Sequence, residues 1–282
     1  MSDLSDLSTR YGVLSVLRSD SVIGRSLGLY GEWAEHEISV LASFIEPGTT
    51  FIDVGANIGT HSVAIARRVP SAVVISIEGQ PLAFSLLQCN LLRNELWNVY
   101  AKNLIVGDKV GTAISDINYA EVSNVGAVSY LSSDVHSQIP EFSYTGIPIQ
   151  CMMLDQFKFP GRVSLIKIDA EGMEARVIAG ARNVISEHRP VLSVEILNIE
   201  DLEVLFTMFT DLNYKLFWLE THAFNCSNFN KCETNIWART EMALLSVPVE
   251  ACASIALPPV TGEETSIPFH LNAFRGWSGE VL

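Results

Sequence analysis

The stretch FIDVGANIGTHS, residues 51–62, decides the fold class of this chain. A short apolar run ends in the glycine-rich turn DVGANIG, and a helix-like segment follows from His61 to Arg68. A strand, a tight turn and a helix in this order begin the βα units that bind nucleotides. The turn has the spacing D-x-G-x-x-x-G, whereas a dinucleotide-binding turn has G-x-G-x-x-G. The stretch therefore predicts a nucleotide-type site whose ligand must be inferred from the neighbouring residues.

Strand and helix patterns alternate along most of the chain. Strands are predicted at 50–54, 72–78, 98–108, 163–169, 189–197, 214–220 and 242–248. Helices are predicted at 31–45, 60–68, 81–95 and 199–212, with one more after residue 169. Strands separated by helices indicate an α/β fold with a mostly parallel, doubly wound sheet and helices on both of its faces. The last two strands have no helix between them and predict an antiparallel edge.

The two ends and the middle of the chain have weaker patterns. Residues 1–30 carry mixed helical signals with breaks at Gly24 and Gly28, and are predicted to be an N-terminal extension. The main domain is predicted at 31–248 and a C-terminal tail at 249–282. Residues 109–150 predict hairpins or loops. The helix at 31–45 is expected to expose Glu32, Glu35, His36 and Glu37 on its wetter side.

Composition excludes some classes of protein. The 282 residues are 48% hydrophobic and carry a net charge of −14, which disfavours binding to duplex DNA or structured RNA. Five scattered cysteines predict reduced thiols in a cytoplasmic protein. A metal clip at Cys226, Cys232 and His222 is the less favoured alternative. The N-terminus lacks a signal-peptide pattern, and no apolar run approaches the roughly 18 residues of a membrane span.

Carboxylates follow several of the predicted strands, at the end of the sheet where ligands of α/β folds bind. Glu78 lies 23 residues after Gly55, close to the offset at which an acid accepts hydrogen bonds from ribose hydroxyls. Asp53 stands at the turn itself, where its charge would repel a diphosphate. A carboxylate there suits the ammonium and sulfonium groups of S-adenosylmethionine. This cofactor is therefore favoured over NAD.

The chain resembles the FkbM family of class I S-adenosylmethionine-dependent methyltransferases. The resemblance rests on FIDVGANIGTHS, IEGQPLAFSLLQCNLLRNEL, IVGDKVG and LIKIDAEGMEARVIAGA. It spans about residues 31–247 and is strongest over 50–196. It implies a Rossmann-like, seven-stranded domain and methylation of a hydroxyl on a sugar, a glycan or a polyketide-type metabolite. The chain departs from the usual family pattern at Gly79, which stands where Pro is common, and at Ala170, which replaces Val.

Carried over by position, the resemblance assigns cofactor contacts to particular residues. Asp53, Gly55, Asn57 and Gly59 are expected around the methionine part, Glu78 at the ribose, Leu104, Gly107 and Asp108 at the adenine, and Asp169 at the transferred methyl group.

An aliphatic hydroxyl needs a base to take its proton as the new bond forms. The candidates are Asp169, Glu171 and Glu195, with His61 as a further option. Lys167, inside an apolar strand, needs a partner, for which Glu195 or Glu171 is expected. Sharing of a divalent metal by Asp169 and Glu195 stays open as an alternative to the expected metal-free site.

Base methylation of nucleic acid is disfavoured, because Asp169-Ala170-Glu171-Gly172 stands where enzymes of that class have Asn/Asp-Pro-Pro-aromatic. The acceptor is expected to be a small molecule or glycan, contacted by residues 1–45, 109–150 and 220–237. A catalytically inactive S-adenosylmethionine-binding protein that acts through a partner is the second hypothesis. The sequence leaves the oligomeric state open.

Overall fold

The computed structural model describes residues 3–115, 130, 135, 146–237 and 240–268. The strands in these residues are β1 (Leu4–Thr9), β2 (Gly12–Leu17), β3 (Thr50–Val54), β4 (Val73–Ile77), β5 (Val99–Lys102), β6 (Ile105–Val106), β7 (Gly111–Ser115), β8 (Ile147–Met152), β9 (Val163–Ile168), β10 (Val191–Glu195), β11 (Tyr214–Thr221) and β12 (Glu241–Pro248). The helices are α1 (Ile23–Tyr30), α2 (Glu35–Ser43), α3 (Thr60–Arg68), α4 (Pro81–Arg93), α5 (Glu174–Ala179), α6 (Arg182–His188) and α7 (Ile199–Asp211), with short 3-10 helices at Leu154–Gln156 and Val249–Ser254.

Seven of the strands form one sheet in the order β11-β12-β10-β9-β3-β4-β5. The five strands from β10 to β5 run parallel, and β12 is antiparallel to both of its neighbours. The predicted Rossmann-like, mostly parallel sheet with an antiparallel edge is confirmed. The antiparallel strand itself, β12, lies one position in from the edge strand β11.

The sheet is covered on both faces, because successive side chains of a strand point to opposite sides. Helices α1 to α4 pack on the face that carries Phe51 and Leu165. Helices α5 to α7 pack on the face that carries Ile52 and Ile166. All strands of the central parallel region are therefore buried on both sides, which explains their continuous apolar runs.

The N-terminal segment differs from its predicted helical character. Residues 4–17 form a two-stranded antiparallel hairpin, and only α1 is helical. The hairpin closes through a tight turn at Arg10–Tyr11, and Gly12 follows at φ 124°, a backbone conformation that favours glycine. The apolar residues of LSDLST, Leu4 and Leu7, stand three apart, which fits a helix as well as a strand, so the residue pattern does not reveal the strand.

The acidic residues at the start of α2 are buried, contrary to the wetter side predicted for them. Glu32 is fully buried, and Glu35 and Glu37 are each 6% exposed. Each has a cationic or polar partner from a distant segment. Arg10 of the hairpin bonds Glu32, and Arg68 of α3 bonds Glu35. Sequence periodicity cannot reveal such partners, because they come from other elements.

Two predicted elements are divided in the structure. The strand predicted at 98–108 splits into β5, in the large sheet, and β6, in a smaller sheet of order β6-β8-β7. The chain turns at Asn103, whose side-chain amide donates to the carbonyl oxygens of Glu78 and Gly79. The helix predicted after residue 169 is divided into α5 and α6 at Gly180, where a Cβ atom would lie 1.9 Å from the carbonyl oxygen of Gly107.

The described part of the tail packs along the edge strand β11. The backbone amide of Trp218 donates to the carbonyl of Pro258, and that of Val260 donates to Leu216. The hairpins or loops predicted within 116–145, apart from residues 130 and 135, and the end of the tail at 269–282 lie outside the described residues. In the part that is described, no helix combines the length and apolar character that crossing a membrane requires. The division into extension, domain and tail stays a prediction.

A buried amide, that of Asn90, is among the groups that join the hairpin to the main domain. The Asn90 side chain accepts a hydrogen bond from the Ser15 amide at 2.6 Å and donates to the carbonyl oxygens of Ser15 and Ile58. We predict that Asn90→Ala lowers the free energy of unfolding by about 1–3 kcal/mol, because buried backbone groups lose their partner. Urea denaturation measures this. Ser85→Ala, on the exposed side of the same helix, should change stability by about 0.5 kcal/mol or less. Equal effects of the two substitutions would contradict the role given to Asn90.

Candidate active site

The turn after β3 has a backbone that only certain residues adopt easily. Gly55 has φ 80°, Asn57 φ 50° and Gly59 φ 91°. A Cβ atom on Gly55 would lie 1.7 Å from the carbonyl oxygen of Asp169, so the two strand ends approach each other too closely for any side chain. Asn tolerates the left-handed conformation better than most residues, which accounts for Asn57. The backbone of the turn thus accounts for the two glycines and the asparagine of D-x-G-x-N-x-G, and not for its aspartate.

The first three backbone amides of this turn are occupied by the neighbouring strand. The Gly55 and Ala56 amides donate to the carbonyl of Ile77, and the Asn57 amide donates to Glu78 Oε2 at 2.8 Å. A dinucleotide site presents such amides to a pyrophosphate. Here they hold the end of β4 and the Glu78 carboxylate in place instead.

An apolar cavity opens at the carboxyl ends of β3, β4 and β9. It contains about 420 Å³ of empty space, which includes open solvent. Ile77, Leu104, Ile105, Val106 and Met173 supply its apolar walls, and Glu78, Asp169 and Glu171 supply its charged groups. The described residues that line it include no lysine, arginine or histidine.

An acidic cavity of about 650 Å³ lies beside it. Gly55, Asp169 and Glu171 line both cavities. The other charged or titratable groups of the acidic cavity are Glu37, His61, Lys167, Glu195 and Glu241, and one wall is formed by Val22, Ile23 and Trp33 of the N-terminal region. The two cavities therefore adjoin at Gly55, Asp169 and Glu171.

A buried lysine stands at the centre of the charged groups. Lys167 is 4% exposed, and its Nζ contacts Asp169 Oδ2 at 2.8 Å. Burial alone would lower the pKa of Lys167, but Asp169, Asp53 and Glu37 outweigh burial and raise the pKa. The partner is therefore Asp169, and not Glu195 or Glu171 as the sequence suggested. Glu195 ends the neighbouring strand β10, and Glu171 lies in the loop after β9. Asp169 is only two residues after Lys167.

The three candidate bases have different proton affinities. Burial would raise the pKa of Asp169, but Lys167 outweighs burial and lowers it. Burial and the adjacent Asp169 raise the pKa of Glu195 well above neutrality, so Glu195 holds a proton at pH 7. Burial, together with the charges of Asp169 and Glu174, raises the pKa of Glu171 to about 7. Glu171 also has φ 51°, a strained backbone of the kind that collects at functional sites.

Two further carboxylates border the glycine turn. Burial raises the pKa of Glu78 to about 7, even though the amides of Gln80 and Asn57 donate to it. Asp53 is 1% exposed and accepts a hydrogen bond from Ser62 Oγ at 2.6 Å, while its buried Oδ1 has no hydrogen-bond partner among the described residues. An unpaired buried carboxylate oxygen is costly, so Asp53 needs a cation nearby. Lys167 on the paired strand is close enough for the charge of Asp53 to raise its pKa, and Asp53 is not among the described residues that line either cavity.

The structure brings most of the predicted site residues to the two cavities. Glu78, Leu104, Asp169, Glu171 and Glu195 line one or both of them. Gly55 lines both cavities, and Asn57 lines the acidic cavity. Gly59, the last residue of the turn, is not among the described residues that line either cavity. Gly107 and Asp108 lie instead in a neighbouring cavity with Lys109 and Arg176.

The sequence predicts an acceptor region at 1–45 without singling out Val22, Ile23 or Glu37, and these three residues line the acidic cavity. Glu241, which also lines it, lies outside the predicted acceptor regions. Met173 lies directly after the Asp-Ala-Glu-Gly segment, and that proximity was the available signal.

The metal alternatives find no support in the described residues. In residues 3–115, 146–237 and 240–268, together with 130 and 135, no three His, Cys, Asp or Glu side chains are grouped so as to bind a metal ion. Cys226 is exposed, and all five cysteines are free thiols.

Comparison with known proteins gives a family and several structures of low identity. A methyltransferase FkbM from Methylobacillus flagellatus KT is 18% identical, covering 70% of this chain and 43% of that chain, with a TM-score of 0.47. TYW2 of M. jannaschii in complex with AdoMet is 11% identical, covering 87% and 85%, with a TM-score of 0.44. Precorrin-6y C5,15-methyltransferase from Geobacter metallireducens GS-15 is 12% identical, covering 76% and 87%, with a TM-score of 0.43.

This chain spans less than half the length of the first of these relatives. No curated protein matches the chain. The family model described as the methyltransferase FkbM domain matches residues 53–216, from the aspartate of the glycine turn to β11, which is more than half of the chain. The chain therefore belongs to the FkbM methyltransferase domain family.

Proposed function

We propose that this chain binds S-adenosylmethionine in the apolar cavity and transfers its methyl group to a hydroxyl of an acceptor bound in the acidic cavity. The observation that carries the proposal is the junction of the two cavities at Gly55, Asp169 and Glu171. Methyl transfer needs a donor and an acceptor held in contact, and positioning alone can supply much of the acceleration. Membership of a methyltransferase family supports this use of the junction.

The residues present fit the donor. The apolar walls at Ile77, Leu104 and Ile105 suit an adenine ring, and Glu78 can accept hydrogen bonds from ribose hydroxyls. The unpaired Oδ1 of Asp53 suits an ammonium group. Gly79 lies on the same wall, where a Cβ atom would crowd the Ile105 side chain at 2.9 Å. Among the described residues the cavity is lined by carboxylates and by no cation, which favours a positively charged donor over a phosphate-bearing ligand.

Bound S-adenosylmethionine supplies an electrophilic methyl group on a sulfonium. The acceptor oxygen bonds to the methyl carbon, the carbon–sulfur bond breaks with its electron pair going to sulfur, and the hydroxyl proton goes to a base. Glu171 is the best candidate for the base, because a general base works best with a pKa near the operating pH. It also lines both cavities, as a group that contacts the reacting atoms must.

The other two carboxylates have supporting roles in this proposal. Asp169, kept ionised by Lys167, offers negative charge beside the sulfonium. Glu195, which carries a proton, donates a hydrogen bond to Asp169 and fixes its orientation. We therefore no longer expect Glu195 to act as the base.

The proposed acceptor is a sugar, a glycan or a polyketide-type metabolite. A net charge of −14 argues against a nucleic acid. Five free thiols support a cytoplasmic location, since oxidising compartments favour disulfides.

The first prediction concerns Asp53. We expect Asp53→Asn to weaken the binding of S-adenosylhomocysteine at least about tenfold, or about 1.4 kcal/mol. The amide preserves the bond from Ser62 but removes the negative charge. Equilibrium dialysis measures the affinity, with Asp211→Asn, on an exposed helix end, as the control. Equal affinities of both variants would contradict a role for Asp53 in donor binding.

The second prediction tests the reaction and its base. Label from methyl-tritiated S-adenosylmethionine should pass to at least one acceptor in a panel of methyl glycosides of glucose, mannose, galactose and rhamnose and a macrolide aglycone. Glu171→Gln should lower kcat about a hundredfold or more, because the base is lost while the side-chain shape is kept. Glu187→Gln, at an exposed position, is the matched control.

The pH dependence follows from the same group. Only the ionised form of Glu171 accepts a proton, so activity is present above its pKa and is lost as the pH falls through it. We expect kcat/KM for the acceptor to fall about tenfold per pH unit below about pH 7, or below a lower pH if the donor's charge stabilises the carboxylate. If the wild type binds S-adenosylhomocysteine but labels no acceptor, a catalytically inactive binding protein that acts through a partner becomes the better account.

A further inference from the structure

A histidine–glutamate pair lines the acidic cavity and has no role in the reaction as proposed. His61, the second residue of α3, and Glu37 of α2 are each 6% exposed. Both line the acidic cavity, and neither lines the apolar cavity. The pair is therefore within reach of an acceptor and away from the surface assigned to the donor.

The hydrogen bonds of the pair fix the histidine ring. His61 Nε2 lies 3.0 Å from Glu37 Oε2, and the other oxygen of Glu37 accepts a hydrogen bond of 3.4 Å from Ser193 Oγ on β10. Burial would raise the pKa of Glu37, but the charge of His61 outweighs burial and lowers it. With Nε2 occupied, Nδ1 is the remaining polar atom of the ring. No protein group within the described ranges bonds to this atom.

A buried histidine held by a carboxylate is a rigid hydrogen-bonding group. The same arrangement orients the histidine in hydrolytic triads, where the free ring nitrogen contacts the substrate. In this protein the free nitrogen belongs to His61, which lines the acidic cavity where the acceptor is proposed to bind. His61 lies in α3, directly after the glycine turn. Glu171, the proposed base, lies on a different wall, after β9.

We propose that His61, positioned by Glu37, binds a second hydroxyl of the acceptor while Glu171 receives the proton of the hydroxyl that is methylated. The inference rests on the proposed function and names its acceptor more closely, as a compound with two neighbouring hydroxyls. A hydroxyl both donates and accepts, so it matches Nδ1 whether or not the ring is protonated. The charged groups around the pair are Lys167 and Asp169, which are engaged with each other.

Two matched acceptors and two matched variants test this contact. The acceptors are trans-1,2-cyclohexanediol and cyclohexanol, which differ by one hydroxyl. His61→Gln keeps a polar atom near the position of Nε2, which bonds Glu37, and lacks one at Nδ1. His61→Asn keeps a polar atom near Nδ1 and lacks the bond to Glu37. Tritium transfer gives kcat/KM for each acceptor and variant.

The wild type should prefer the diol about tenfold, the usual worth of one good hydrogen bond. His61→Gln should lose this preference, mainly through KM, and His61→Asn should keep part of it. Affinity for S-adenosylhomocysteine should be the same in all three proteins, and thermal unfolding confirms that the variants fold. A purely structural pair would give the opposite order, with His61→Gln close to the wild type.

Two results would overturn the inference. One is an undiminished diol preference in His61→Gln, as a purely structural pair would give, and the other is a wild type that labels neither alcohol. The glycoside and macrolide panel tests the proposed function separately. If the panel is labelled and substitution of His61 leaves the diol preference unchanged, this inference fails and the proposed function stands. If neither experiment gives a labelled product, the inference and the proposed function both fail.

Discussion

The contact between Lys167 and Asp169 is the interaction on which the rest of the site depends. Parallel pairing sets Asp53 of β3, Lys167 of β9 and Ser193 of β10 side by side on one face of the sheet. Further down the same strands, this face carries Phe51 and Leu165 and belongs to the core. At the carboxyl ends the apolar pattern gives way to a buried cation with carboxylates around it. Burying one charge without the others would cost several kcal/mol, so the group is stable only as a set.

The same cation separates the proton affinities of carboxylates that would otherwise be alike. Asp169 touches the ammonium and stays ionised, Glu195 lies beyond Asp169 and keeps a proton, and Glu171 titrates near neutrality. Groups whose environments push their pKa values apart commonly mark acid and base assignments. The site can therefore hold a cationic donor beside an ionised carboxylate while a different carboxylate accepts a proton.

The fold was largely predictable because its signals are local. The strand, turn and helix at 50–68 follow from apolar runs and from glycines that no other residue can replace, and helix α3 begins and ends as predicted. The N-terminal hairpin was missed, since Leu4 and Leu7 of its first strand stand three residues apart, a spacing that also fits a helix. The burial of Glu32, Glu35 and Glu37 was also missed, because their partners Arg10, Arg68 and His61 lie on other elements. The carboxylates at strand ends could be listed from sequence, but which of them holds a proton depends on distances that only the folded chain has.

The most direct test of the account is calorimetric titration of the purified protein with S-adenosylhomocysteine, with NAD in a parallel titration. The account predicts a dissociation constant in the micromolar range or below, about −8 kcal/mol or better, and no binding of NAD. Its physical basis is that the amides of the glycine turn are occupied by Ile77 and Glu78 and that the described lining of the cavity has carboxylates but no cation. Binding of NAD with similar affinity, or binding of neither compound, would contradict the assignment of the apolar cavity to a methyl donor.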